Sequence, residues 1–380
     1  MKSKLTPIYA VTSISSLAGS LVGIFIPIFL LSLGYGLRQI MLYCLIRSAA
    51  ILAFALLPGL SRKRVTLKAL MIAQAPVQIL ILVVLATLKT THAPIYYLAL
   101  LQGLQASLYY IPLHVFFTKA ADQKSMGRNV GVFLSLPGLF GIGAPLLSGL
   151  IAARWGFAPL FYISAAMVAI SLVPLSQIQS YHEPMTFSLG RLKHLYDRYR
   201  TYFWLEIIEN IQEEMDLVIW PLAVYLFARS TIQVGYIATL IGAGSAVFTY
   251  LIGRRSDRRA KLPMLRLGAL LMLGLWLWRE LPLNSGSIVA ISAIVSFATV
   301  LIIVPFSTII YGLASQNKAR EFIIFREVPV FLARAIVYTI GFVIATYIHN
   351  LFWIPIVAYA LFAVMPPVMG AQSNPATETK

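Results

Sequence analysis

Apolar runs of about 20 residues, the length a helix needs to cross a bilayer, recur from residue 7 to residue 370 between short charged or Pro/Gly breaks. A chain patterned this way folds within lipid. The runs leave no comparably long stretch for a separate water-soluble domain. Hydrophobic residues make up 59% of the chain and charged residues 11%, about half the charge of a soluble domain. Lys2 and Lys4 precede the first run. That run exceeds the core of a signal peptide, about 7–15 residues, and reads as the first spanning helix.

Breaks divide the runs into twelve candidate spans, centred near Gly23, Ala49, Leu80, Ala106, Gly141, Met167, Asp216, Gly242, Leu271, Leu301, Val337 and Tyr359. The basic residues test that count. With both termini inside, Arg38, Lys89, Arg154, Arg229 and Arg279 fall in outer loops and Arg47, Arg326 and Arg334 within spans. The other 22 of the 30 Lys and Arg fall on inner loops and termini. This is the inward bias that orients membrane proteins. It also accounts for the net charge of +17 without nucleic acid, because basic inner loops face anionic lipid. The single cysteine, Cys44, excludes an intramolecular disulfide and a cysteine metal cluster.

The longest polar interval splits the spans six and six. Residues 1–178 form one six-helix bundle, 179–201 a cytoplasmic linker, 202–370 a second bundle and 371–380 a polar tail. In the linker, Leu192, Leu195 and Tyr199 recur at helical spacing, which suits a short amphipathic helix on the membrane surface. A short basic loop precedes span 5 (Lys124, Arg128) and span 11 (Lys318, Arg320) alike. The expectation is an all-α membrane protein of twelve transmembrane helices in two six-helix pseudo-repeats, a plan that transporters use with a site between the halves.

Between spans 8 and 9 the chain reads Gly253-Arg-Arg-Ser-Asp257-Arg258-Arg259-Ala260-Lys261. This resembles the cytoplasmic loop signature of the major facilitator superfamily, with Ala260 in place of its second glycine. The resemblance implies a conformational latch in which Asp257 caps a helix of the opposite half near Arg128. The matching first-half loop, Gly59-Leu-Ser-Arg62-Lys63-Arg64, keeps the glycine and the bases but lacks the acid. Leu101-Gln102-Gly103 in span 4 resembles the family's Arg-x-x-Gln-Gly motif, with Ala99 where the coupling arginine would stand. Gly141-Ile-Gly-Ala-Pro145-Leu-Leu-Ser-Gly149 in span 5 resembles the Gly-Pro-x-x-Gly-Gly segment of the family's drug-efflux antiporters, with Ala144 and Ser148 replacing two glycines. Small residues there permit close helix packing and the proline bends the span. The resemblance also implies that spans 1, 4, 7 and 10 line a cavity and that spans 2 and 11 border each other across the halves.

A charge inside a span costs roughly 2.5–3.5 kcal/mol on insertion scales, so it marks function or pairing. Span 7 is the densest: Glu206, Glu209, Glu213, Glu214 and Asp216. At about 100° per residue, Glu206, Glu209, Glu213 and Asp216 fall within roughly 80° on one face. Glu206 lies near the inner surface. Glu213, Asp216 and Glu209 are candidate proton-coupling groups, because proton relays use intramembrane carboxylates. Their alternative role is pairing with arginine. Arg334 and Glu327, seven residues apart in span 11, and Arg47 in span 2 either bind an anionic substrate or neutralise the span 7 acids; arginine suits both. Gln102, Gln105 and Tyr109 form a polar stripe on span 4, with His114 near its inner end. Thr12, Ser16 and Ser20 on span 1, and Ser292, Ser296 and Thr299 on span 10, form weaker stripes, since hydroxyls also bond their own helix backbone.

Phosphate-loop and metalloprotease motifs are absent from the sequence, as are soluble-enzyme signatures. The reading is a secondary active transporter, not an enzyme, that works by alternating access without cofactor or metal. It is proton-coupled and suits efflux, with a small-molecule substrate, a proton or other coupling ion, and membrane lipid as its partners. It is expected as a monomer in a bacterial inner membrane. The alternatives are an anion uniporter or exchanger centred on Arg47 and Arg334, a lipid or amphiphile flippase, and a non-transporting membrane scaffold or sensor.

Overall fold

The computed structural model describes residues 5–56, 64–122, 125–178, 182–184, 189–256, 261–281, 284–344 and 347–364. They are almost entirely helical. The first run is α1 (Thr6–Val22) and α2 (Phe25–Ser32), interrupted at Gly23, followed by α3 (Leu37–Leu56), α4 (Leu67–Thr91) and α5 (Ile95–Ala120). Next come α6 (Met126–Gly141) and α7 (Ala144–Trp155), parted just before Pro145, and α8 (Ala158–Ser176). A short α9 (Leu189–Arg198) leads into α10 (Arg200–Glu214), which passes through a π-helical turn (Met215–Ile219) into α11 (Trp220–Ala228). Then follow α12 (Thr231–Ser256), α13 (Lys261–Arg279), α14 (Ser285–Gln316), α15 (Ala319–Val343), a 3-10 turn (Ile348–Phe352) and α16 (Trp353–Val364). Strands β1 (Arg64–Thr66) and β2 (His182–Pro184) pair antiparallel and tie the start of α4 to the segment before α9.

Among the described residues, eight helical runs are long and apolar enough to cross a membrane. The four remaining runs fall short for visible reasons. The α5 helix carries Gln102, Gln105 and His114, α10 and α15 carry the buried charges, and α16 with its preceding turn is short. Leu147, Val173, Leu270 and Leu361 each expose more than half of their surface. A multi-pass membrane protein turns such an apolar exterior to lipid, where a soluble protein would bury it.

Packing sets the site. α1 lies against α6 and α8, α3 against α5, and α4 against α5 and α8; α10 lies against α15 and α16, and α13 against α14 and α16. The two groups meet along α3 with α15, and along α12 with α6 and α7. The first of these contacts is the span 2 to span 11 border that the family resemblance implies. The α9 helix matches the amphipathic segment expected in the linker: Leu195 and Tyr199 are buried, and Lys193, His194 and Asp197 face outward. Arg191 reaches Glu321 of α15 at 3.2 Å.

Candidate functional site

The acids of α10 and the arginines of α15 share a spacing. Glu206 and Glu214 are eight residues apart, as are Arg326 and Arg334. Two helices running in the same direction can bring both pairs into register, and they do. Arg326 Nε donates to Glu206 Oε1 at 2.6 Å, and Arg334 Nε donates to Glu214 Oε1 at 2.7 Å. Tyr202 OH donates to Glu206 Oε2 at 2.7 Å, and Asn210 Nδ2 donates to its Oε1 at 3.1 Å. Tyr338 OH donates to Glu214 Oε2, and Arg47 of α3 approaches the same oxygen at 3.6 Å. Glu214 thus stands between two guanidiniums from different parts of the chain. Both carboxylates are buried, as a charge in a low-dielectric interior requires of its partners. Glu206 is therefore a buried, paired group, where its depth along the span alone suggested a surface position.

The π-helical turn shifts the register after Glu214 and sends Asp216 elsewhere. Its Oδ1 accepts from Arg279 Nη1 at 3.3 Å, and its Oδ2 accepts from Gln212 Nε2 at 2.5 Å. Arg279 is not the outer-loop residue that charge counting suggests. It is fully buried, with its guanidinium 4.0 Å from the ring centroids of both Trp220 and Trp276. Trp276 Nε1 donates to Gln212 Oε1 at 2.6 Å and closes the box. A guanidinium stacked between two indoles and paired with a carboxylate is held on its faces and on one edge.

Between the two groups of helices lies a cavity of two adjoining lobes. A polar lobe of about 410 Å³ is lined by Arg47, Arg326 and Arg334, by Glu209, Glu213, Glu214 and Glu327, and by Gln78, Gln102, Gln105 and Asn210. A larger lobe of about 740 Å³ is lined mainly by apolar and small residues of α1, α5, α6, α11 and α12. The lobes share Ile26, Arg47, Tyr110, His114, Leu134 and Leu217. Glu213 projects into the polar lobe, and Glu327 exposes 7% of its surface there. Neither makes an ion pair or hydrogen bond among the described residues, and Glu209 takes only a 3.4 Å contact from Asn210. Arg47 Nε is buried without a hydrogen-bond partner among the described residues.

The span 4 stripe faces this cavity. Gln102 accepts from Tyr43 OH at 2.6 Å, and Gln105 Nε2 donates to Gln74 at 2.8 Å. Tyr109 lines the apolar lobe, with its ring set edgewise to Tyr110. His114 Nδ1 lies 2.7 Å from Tyr311 OH of α14, a contact between the two groups of helices backed by Phe117 and Phe133. Thr12, Ser16 and Ser20 line the apolar lobe. Ser292 and Ser296 bond their own helix at 2.7 and 2.6 Å and line neither lobe, while Thr299 Oγ1 is buried without a hydrogen-bond partner among the described residues.

Gly141 and Pro145 line the apolar lobe, with Gly141 against Ser20. Gly149 sits so close to α12 that a Cβ would lie 2.4 Å from Thr231 O, and a Cβ on Gly235 would lie 2.3 Å from Pro145 O. Thr231 Oγ1 donates to Gly149 O at 2.9 Å, and Thr239 Oγ1 accepts from Leu146 N at 3.0 Å. The α7 and α12 backbones touch there because no side chain intervenes. Of the latch residues, Asp257, Arg258 and Arg259 lie outside the described residues. Gly253 belongs to α12, and Lys261 begins α13.

No protein-family sequence pattern and no curated protein matches the chain. The crystal structure of the human organic anion transporter MFSD10 (TETRAN) does match in shape. Its TM-score is 0.66 at 14% sequence identity, over 94% of this chain and 99% of that one. The chain has the major facilitator fold. In the facilitator frame, spans 1, 4, 7 and 10 correspond to α1 with α2, α5, α10 with α11, and α14, each of which contributes to the polar lobe. The arginines of α3 and α15 enter it from the flanking spans 2 and 11.

Sequence reasoning singled out Arg47, Arg334, Glu209, Glu213, Glu327 and the glutamines, and the fold brings all of them to one cavity. It did not single out Glu214 as the hub, or Tyr202, Tyr338, Trp220 and Trp276 as partners. The matched eight-residue spacing was an available signal for the two ion pairs. Nothing local announced the tryptophan box.

Proposed function

We propose that the protein is a twelve-span secondary transporter that moves a small solute by alternating access and couples it to protons through Glu209 and Glu213. The observation that carries this reading is the carboxylate surplus of the polar lobe. Five acids, Glu206 included, face three arginines. Each arginine already has a carboxylate, which leaves Glu209, Glu213 and Glu327 open to an exchangeable cation. Asp216, the third coupling candidate, is held by Arg279 and stands second to these. The bundles are residues 1–178 and 202–370, the linker is 179–201, and the termini and the Gly253–Lys261 latch lie on the inner side, following the basic-loop bias. The Pro145 segment favours export. The protein works as a monomer in a bacterial inner membrane and carries out no covalent chemistry.

The test uses the protein in liposomes loaded with a pH-reporting dye, with an imposed proton gradient and a chemically sorted solute panel. A transported solute should trigger proton flux. Glu209→Gln with Glu213→Gln should remove that flux. Undiminished gradient-driven flux in the double variant would defeat the coupling assignment.

One observation favours a second reading. Among the described residues, Arg47 and Arg334 share a single carboxylate, and Arg47 Nε lacks a hydrogen-bond partner. That leaves positive charge for an anion, and the MFSD10 structure is titled an organic anion transporter. Transport indifferent to the proton gradient but lost on Arg334→Gln would support an anion uniporter or exchanger.

A further inference from the structure

We propose that the solute is an amphiphile with a basic head: a protonated amine seated among Glu209, Glu213 and Glu327, with an apolar body extending past Tyr110 into the larger lobe. This rests on the transporter reading above and adds the chemical class of what is carried.

Three observations point the same way. First, the charge of the polar lobe is unbalanced toward acid. Glu327 is the sharpest case: 7% exposed, lining the lobe, with no hydrogen bond or ion pair among the described residues. An intramembrane acid in that state calls for a proton or a ligand cation. Second, an anion at Arg326 or Arg334 would have to displace a carboxylate already on the guanidinium. Arg326 and Arg334 are held at 2.6 and 2.7 Å by Glu206 and Glu214, both almost fully buried. Stranding either acid is the costly outcome for a buried pair. Third, the adjoining lobe is nearly twice as large, about 740 against 410 Å³, and takes apolar surface. Its charged side chains are Arg47, at the junction, and Asp216, already on Arg279. A sugar or other uniformly polar solute would meet a few hydroxyls, such as Ser16 and Ser20, among mainly apolar walls and would leave most of its own hydroxyls unpaired. Sites of this kind fix orientation with a few polar groups and bury the rest of the ligand against apolar walls.

The test is ligand-dependent thermal unfolding of the purified protein in a neutral maltoside detergent. The readout is the fraction of protein that stays monodisperse by size-exclusion chromatography after heating, and not thiol labelling, because Cys44, the chain's single cysteine, lines the larger lobe and a bound probe would shield it directly. The probes are 2-(1-naphthyl)ethylammonium, the neutral 2-(1-naphthyl)ethanol, the anionic 1-naphthaleneacetate, and ethylammonium as head alone. A ligand that binds only the folded state raises its midpoint. The naphthylethylammonium should stabilise at about tenfold lower concentration than the alcohol, the equivalent of one charge-assisted contact. The acetate and ethylammonium should have no effect. Glu213→Gln and Glu327→Gln should each weaken the ammonium probe by about tenfold on the same basis. Gly242→Leu, built on a helix position with open space beside it in the larger lobe, should weaken both naphthyl probes and keeps the test decisive if an acid variant does not fold. Stabilisation by the acetate, equal stabilisation by all naphthyl probes, or an ammonium shift indifferent to all three variants would overturn the proposal. Acid-dependent binding of the ammonium without proton flux in liposomes would sink the coupling reading and leave this inference standing. Gradient-driven flux with a solute lacking a basic group would do the reverse.

Discussion

Glu213 and Glu214 are neighbours in sequence with opposite surroundings, and the same substitution in each should separate them. Glu214 is 1% exposed and lies between Arg334 at 2.7 Å and Arg47 at 3.6 Å, with Tyr338 as a third partner. Glu214→Gln removes the negative charge that stands between two guanidiniums and leaves both without it. Measured losses on breaking a buried pair run to about 3–5 kcal/mol. The lost neutral hydrogen bonding is minor, because interhelical hydrogen bonds in membranes average about 0.6 kcal/mol. Glu213 faces the cavity without a hydrogen bond or ion pair among the described residues, so Glu213→Gln should fall within about 0.5 kcal/mol of the parent. In thermal unfolding read by size-exclusion chromatography the Glu214 variant should melt lower by an amount on the order of 10 °C, and the Glu213 variant should match the parent. Glu214→Gln combined with Arg334→Leu should recover most of the loss, because each removes one member of the pair. Midpoints for the two single variants within about 2 °C of each other would refute the assignment of Glu214 as the electrostatic hub.

Two further outcomes follow from packing. Arg279→Leu leaves Asp216 with Gln212 alone and empties the space between Trp220 and Trp276; a loss of about 3–5 kcal/mol is expected, partly restored by adding Asp216→Asn, as read by thermal unfolding and indole fluorescence. Gly149→Ala and Gly235→Ala drive a methyl into the backbone of the facing helix and should cost about 1–3 kcal/mol each, whereas Gly274→Ala, with open space around it, should be neutral or stabilising by up to about 1 kcal/mol.

Much of the candidate site was legible because intramembrane charge is rare enough to stand out. Arg47, Arg334, Glu327 and the α10 acids could be named from their positions in apolar runs, and Gln102 and Gln105 from helical spacing. The division of labour among the acids was not legible. An ideal helical wheel places Glu206, Glu209, Glu213 and Asp216 on one face and leaves Glu214 off it. The π-helical turn from Met215 to Ile219 changes the register of Asp216, and the α15 arginines, 120 residues away in sequence, choose Glu206 and Glu214. Arg279 misled for a related reason. It ends an apolar run, where a basic residue ordinarily reaches the surface, and only the approach of Trp220 and Asp216 explains why it stays inside.

The amino-acid sequence by itself determined the helical class and the membrane environment. These follow from local rules: a backbone in lipid must satisfy its own hydrogen bonds, and about 20 apolar residues make one crossing. The tertiary structure alone decided which acids are neutralised, which remain open to the cavity, and that the cavity has one polar and one apolar lobe. Pairing depends on a few ångströms of separation between helices far apart in the chain, and no local pattern encodes that distance.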